Sequence, residues 1–184
     1  ARDRAAARRQ GIVVGAYHYA VPGALGGGAM SSAANRRNDA LLQARLAVRN
    51  ARGAPIGDLP LTLDLEERPC GWTWVQVAQW AKVFVLEAQR LTGRKPIIYA
   101  NGYMIGKLQA AGSVGIDWSA YPLWVARWGP KLGTSPGTVP FWGSQWTIWQ
   151  FTSDGRLRGI PTGRTDLNVF NGSNADLMRM ANGS

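Results

Sequence analysis

The 184-residue chain is 46% apolar and 17% charged, enough for one ordinary core and too short for two comfortable ones, so a single domain over residues 1–184 is expected. One cysteine, Cys70, excludes an intramolecular disulfide framework, and with a single histidine it cannot furnish a zinc site unless carboxylates supply most of the ligands. Twenty-one Lys and Arg against eleven Asp and Glu give a net charge of +10; no run approaches the roughly 18 apolar residues of a membrane span, and ARDRAAARRQ at the start lacks an apolar stretch after its arginines, so a soluble chain with no secretion address of its own is expected.

Residues 1–10 read as the end of a helix leading into Gly11, and Ile12–Tyr19 as a first strand. The glycine-rich loop Pro22–Ala29 has neither of the phosphate-binding glycine spacings and reads as a surface loop. Residues 32–52 read as a helix capped by Ser32, with Ala34, Leu41, Leu42 and Val48 near one face and a stop at Gly53. A second strand is expected at Leu61–Glu66. A long helix then follows from Thr73 to Leu91, its apolar residues Trp74, Val77, Ala78, Ala81, Phe84, Val85 and Ala88 recurring at helical spacing before Gly93. The strand Pro96–Ala100, a short helix Tyr103–Ala110, three strands at Leu123–Trp128, Trp146–Phe151 and Thr165–Val169, and a helix Ala175–Ala181 complete the chain. Strands separated by helices predict βαβ units and a parallel sheet. After residue 128 no helix-length segment separates the strands, which predicts hairpin pairing at that end.

The charge is uneven. Residues 1–52 hold nine Arg and two Asp, a net +7, and the remainder carries only +3. Such an excess suits nucleic acid, an acidic membrane surface or a cell wall bearing anionic polymers, and it equally suits solvated arginine-rich helices. No nucleic-acid motif accompanies it, so no nucleic-acid partner is expected.

The segment Leu59–Arg68 carries the chemistry. Along a strand Leu61, Leu63 and Leu65 face one way and Thr62, Asp64 and Glu66 the other, so an apolar strand holds two carboxylates on one face at its carboxyl end, where active sites of such sheets lie. Like charge and partial burial raise a carboxyl pKa, so one of the pair can hold a proton near neutrality and donate it. The competing readings are Ca²⁺ or Mg²⁺ binding and a solvated strand end. The same parity puts Tyr17 with Tyr19, Trp124 with Trp128 and Asp166 with Asn168, while Tyr99 and Gln150 close their strands. Aromatic rings stack on the apolar faces of sugars and acids or amides bond their hydroxyls, so this set favours a carbohydrate ligand. Most of the nine Trp belong to the core, and two or three are left for a ligand. His18, among apolar neighbours, reads as structural.

These residues carry a resemblance. GAYHYA at 15–20, DLE at 64–66, PIIYAN at 96–101, LWVARW at 123–128, IWQFTSDG at 148–155 and DLNVF at 166–170 stand in the order and spacing of glycoside hydrolase family 25, over residues 11–172. The chain resembles those N-acetylmuramidases, the Chalaropsis-type lysozymes of phage endolysins and bacterial autolysins. The resemblance implies an α/β fold, a modified TIM-like (β/α) barrel with fewer helices at its C-terminal end, and cleavage of the β-1,4 bond from N-acetylmuramic acid to N-acetylglucosamine in peptidoglycan. It implies Glu66 as general acid, Asp64 as the partner that stabilises developing positive charge or orients the acetamido group, and Tyr17, Tyr99, Trp124, Gln150 and Asp166 as cleft residues. A strand i,i+2 pair sits roughly 6–7 Å apart, between the separations of retaining and inverting pairs, so spacing selects no stereochemical outcome.

One departure stands out. The family pattern opens with a strand carrying G-x-D-x-S and then a second strand, whereas here ten residues precede Gly11 and the one acid among them is Asp3. The expectation is therefore a barrel that either lacks its first two strands, leaving two open edges, or closes differently, with weak or absent muramidase activity relative to a version extended upstream. Peptidoglycan is the expected partner, with anionic wall polymers as an added attraction, a monomer as the expected state, and neither cofactor nor metal. A phage lysin would stay in the host cytoplasm until lysis; an autolysin would be secreted. The alternative is a non-hydrolytic glycan-binding module using the same cleft.

Overall fold

The computed structural model describes residues 2–25, 32–52, 58–130, 133–159 and 163–183. Six strands form one sheet in sequence order: β1 (Tyr17–Tyr19), β2 (Thr62–Asp64), β3 (Ile97–Asn101), β4 (Leu123–Ala126), β5 (Ile148–Gly155) and β6 (Thr165–Phe170). Every strand expected from sequence is present, the first shortened because residues 12–16 contribute only a bridge from Val14 to Asp58. β1 to β5 pair in parallel, and β6 returns antiparallel to β5 through irregular register between Gln150 and Gly155. The hairpin expected after residue 128 is thus β5–β6. The β4–β5 pair stays parallel without a helical crossover, and an aromatic loop covers it instead: Trp142 is buried and donates its indole N–H to the Tyr121 carbonyl at 2.8 Å. The sheet curves into a half-barrel with helices outside it, the modified TIM-like α/β fold.

The helices are α1 (Arg2–Arg9), α2 (Ala33–Asn50), α3 (Trp74–Thr92), α4 (Gly102–Ala111) and α5 (Asn174–Asn182), with a short 3₁₀ turn at Trp118–Ala120. α3 begins with a capping box between Thr73 and Gln76 and ends at Gly93, whose φ of 69° suits glycine at a left-handed cap. The outer face of the sheet, Leu61, Leu63, Leu65, Ile98, Ala100, Leu123, Val125 and Trp149, packs against Val77, Ala81, Phe84, Val85 and Ala88 of α3 and Met104, Ile105 and Leu108 of α4. Five of the nine tryptophans, Trp72, Trp80, Trp118, Trp142 and Trp149, are buried.

The face expected of α2 needs correction. Ala34 and Leu42 are exposed, and the buried side chains are Asp39, Ala40, Gln43, Ala44 and Ala47. Three alanines let α2 approach α3 closely, and two polar groups are carried into the interface because both are fully occupied there. The Asp39 carboxylate accepts from the Gly23 and Leu25 backbone N–H groups at 2.8 and 2.6 Å, from Gln43 at 3.0 Å and from the Trp80 indole at 2.6 Å. Gln43 donates to the Val21 carbonyl at 2.7 Å and meets His18 Nε2 at 3.0 Å. His18 also stacks on Phe84, so it is a structural residue behind β1. The expected stop at Gly53 and residues 26–29 of the glycine-rich loop lie outside the described residues. Arg4 and Arg8 of α1 both pair with the buried Asp58, so part of the N-terminal charge is internal neutralisation. Among the described residues no helix is long and apolar enough to cross a membrane.

Candidate active-site cleft

The inner face of the half-barrel holds the other half of the strand alternation. Register aligns Tyr19, Asp64, Tyr99 and Trp124 in one row across β1 to β4, and Gln150 lies opposite Asn168 between β5 and β6. With side chains alternating, these rows all project inward, away from the leucine face of β2. The result is a cleft of about 190 Å³ lined by Tyr17, Thr62, Asp64, Glu66, Tyr99, Trp124, Gln150 and Asp166. All seven residues singled out from the sequence therefore line one cleft. Thr62 joins them, and its signal was its shared face with Asp64 and Glu66.

Asp64 is half-buried, while Glu66, two residues on, is exposed at the strand end. Burial, reinforced by the charges of Glu66 and then Asp166, pushes the Asp64 carboxyl up to about 7. Its Oδ1 is buried with no hydrogen-bond partner among the described residues. An acceptor left unpaired in a polar cleft is costly to maintain and suits a ligand donor. Burial, with the Glu66 and Asp64 charges, also raises Tyr99, so its phenol stays protonated and acts as a donor.

That donor is used. Tyr99 Oη and Trp128 Nε1 both donate to Gln150 Oε1 at 3.1 Å, fixing the buried amide by its oxygen and leaving its NH₂ as the end free for a ligand. Trp124 donates to Asn168 Oδ1 at 2.8 Å and meets Tyr99 edge to face at 5.1 Å. Tyr17 and Trp128 are 67% and 60% exposed, aromatic surface at the rim that burial does not account for. Tyr19 donates to Glu67 at 2.7 Å, a bond that pushes its phenol up to about 12. Trp128 and Asn168 were paired with cleft residues by strand parity alone; their hydrogen bonds are what tie them to the site.

Among the described residues no cluster of three or more His, Cys, Asp or Glu side chains is placed to hold a metal ion. Cys70 is exposed beyond the acidic strand end.

The curated protein lysozyme M1 of Streptomyces globisporus is 32% identical over 179 residues, covering 94% of this chain and 54% of its own length. The chain spans about half the length of the curated relatives it matches. Among solved structures, a bacterial lysozyme from Streptomyces coelicolor superimposes with a TM-score of 0.76 at 28% identity, covering 98% of this chain and 77% of that one. The Clostridium perfringens spore cortex lytic enzyme SleM gives 0.76 at 27% identity, covering 95% and 55%. The family model described as glycosyl hydrolases family 25 matches residues 1–160, taking in α1 and stopping before β6. A match over most of the chain, on a fold shared with those two structures, means that this chain belongs to glycosyl hydrolase family 25.

Proposed function

We propose that the protein hydrolyses the β-1,4 bond between N-acetylmuramic acid and N-acetylglucosamine in peptidoglycan. The observation that carries this reading is the carboxylate pair Asp64 and Glu66 on the inner face of β2, surrounded by aromatic and amide groups in one cleft. Glu66 is the general acid: it gives its proton to the glycosidic oxygen as the bond to the anomeric carbon breaks, and water then adds its hydroxyl to that carbon and returns its remaining proton to Glu66. Asp64 is its partner. Its unpaired Oδ1 suits an acetamido N–H, a bond that favours the carboxylate form, and the ionised group then faces the positive charge developing at the anomeric carbon. Trp124 and Tyr17 offer ring surface to sugar faces, the Gln150 NH₂ offers a donor to a sugar oxygen, and Asp166 offers an acceptor for hydroxyls.

The site of action under this reading is the bacterial wall, and the basic excess of +10 draws the protein towards anionic wall polymers. The test compares the parent with Glu66→Gln on insoluble peptidoglycan. Release of reducing ends should fall by about 10²–10⁴-fold with sedimentation on the wall retained. A parent that binds the wall and releases no reducing ends overturns the hydrolase in favour of a glycan-binding module.

A further inference from the structure

Outside the cleft, the described surface carries an aromatic and cationic cluster that the reaction above does not use. Tyr103 is 65% exposed, although it lies at the start of α4 beside a well-packed core. Its ring meets Trp74, the first residue of α3, edge to face at 5.9 Å. The Arg68 guanidinium lies 5.2 Å above the Trp74 ring, and the Lys107 ammonium lies 5.2 Å from the Tyr103 ring. Arg68 is also anchored by donating to the Trp72 carbonyl at 2.6 Å. Cation, indole, phenol and cation thus form one continuous strip built from three segments of chain. Neither Arg68 nor Lys107 belongs to an ion pair among the described residues.

The strip borders the cleft. α3 and α4 start at the carboxyl ends of β2 and β3, the end of the sheet at which Asp64 and Tyr99 stand, and Arg68 follows Glu66 by two residues, within about 7 Å of chain. The nearest acid along the chain, Glu67, is turned to β1 by its bond to Tyr19. The strip therefore presents apolar ring faces and two positive charges, with no carboxylate from its own four side chains. A neutral sugar asks for acids and amides beside a ring; unpaired cations beside rings ask for a ligand that is itself anionic.

We propose that Arg68, Trp74, Tyr103 and Lys107 form a subsite for the carboxylate-bearing stem peptide of peptidoglycan, held while its glycan lies in the cleft. This rests on the substrate class proposed above. Peptidoglycan carries short acidic peptides on its muramyl sugars, and a peptide leaving the cleft beside Glu66 meets Arg68 first and Tyr103 and Lys107 beyond it. The cations bind its free carboxylates, and the exposed phenol covers its small apolar side chains.

The experiment uses the parent, the double variant Tyr103→Ala/Lys107→Ala and the charge reversal Lys107→Glu. Binding of each to insoluble peptidoglycan is measured by sedimentation, binding to the soluble glycan strands that an amidase frees from the same material is measured by titration calorimetry, and KM and kcat for reducing-end release are measured on both. The double variant should bind peptide-bearing material about five-fold more weakly, through KM and not kcat, with no change on stripped glycan. Lys107→Glu should weaken binding further, and added salt should weaken the parent towards the variants. Equal loss on both materials, or no loss on either, overturns the subsite. So does a loss that vanishes once phosphate polymers are removed from the wall, since the anion is then wall phosphate. If the parent releases no reducing ends, the hydrolase reading fails, and the two binding measurements still decide the subsite on their own.

Discussion

Asp64→Asn should make the protein more stable at neutral pH while removing a proposed active-site group. Burial and two neighbouring carboxylates raise Asp64 from 3.8 to about 7 in the folded chain. A carboxyl whose folded pKa lies above its unfolded value binds its proton more tightly when folded. Its ionisation therefore lowers stability progressively as pH climbs from about 4 to about 7, and the loss is complete above 7. Between pH 5 and pH 7 the linkage slope of about 1.4 kcal/mol per pH unit sets an upper limit near 3 kcal/mol; a half-buried group facing a solvent-filled cleft retains part of its hydration, so about 1 kcal/mol is expected. Asparagine has the same shape and no ionisation. The gain in Tm of Asp64→Asn over the parent should thus be larger at pH 7.5 than at pH 5 by about 2–4 °C in thermal denaturation followed by circular dichroism. Taking the difference between two pH values cancels any packing change in the substitution itself. An offset that is equal at both values would refute the argument that Asp64 is held protonated by its surroundings.

Glu66→Gln should lower the Asp64 pKa more than Asp166→Asn does, and neither should return it to 3.8, because burial is the largest cause; carbon-13 titration of the Asp64 carboxyl measures all three. Gln150→Leu strands the buried Tyr99 hydroxyl without its acceptor, while the exposed Trp128 indole can turn to water, and is expected to cost about 1–3 kcal/mol in urea denaturation. Glu87 is held down at about 2 by Arg90 and Arg45, so its stabilising contribution is present above about 4.5 and lost as pH falls through 2; Glu87→Gln should lower Tm at pH 7 and lower it by much less at pH 2. Asp39→Ala removes the acceptor of four donors at the α2–α3 interface and should unfold or severely destabilise the chain, read as a collapsed Tm.

The site was largely legible because strands write their faces into the sequence with a period of two. Thr62, Asp64 and Glu66 alternate with three leucines, and the structure puts those leucines in the core and the polar set in the cleft. Pairing between distant strands was not legible by that means: Gln150 meets Tyr99 and Trp128 across 51 and 22 positions of chain, and no local pattern encodes a shared acceptor. α2 misled for a related reason. Periodicity puts Leu42 on the apolar face, but Leu42 is exposed and Asp39 is buried instead by donors that arrive from the β1 loop and from α3, so tertiary hydrogen bonds override the hydrophobic pattern. The first strand was overextended because Ile12 looks apolar and is in fact exposed, with Gly15 pressed close to the Leu59 side chain just before β1.

The two-sidedness of β2 has a consequence for how this gene can change. Core and cleft share one six-residue stretch, Leu61 to Glu66, and are kept apart only by which residues are odd and which are even. Substituting one position touches one side. Inserting or deleting a single codon upstream within the strand would exchange the two sides, driving carboxylates into the packed helices and leucines into solvent. Point changes can therefore tune the cleft gradually, whereas length changes in this stretch are expected to fail outright, and libraries that vary loops should leave its frame intact.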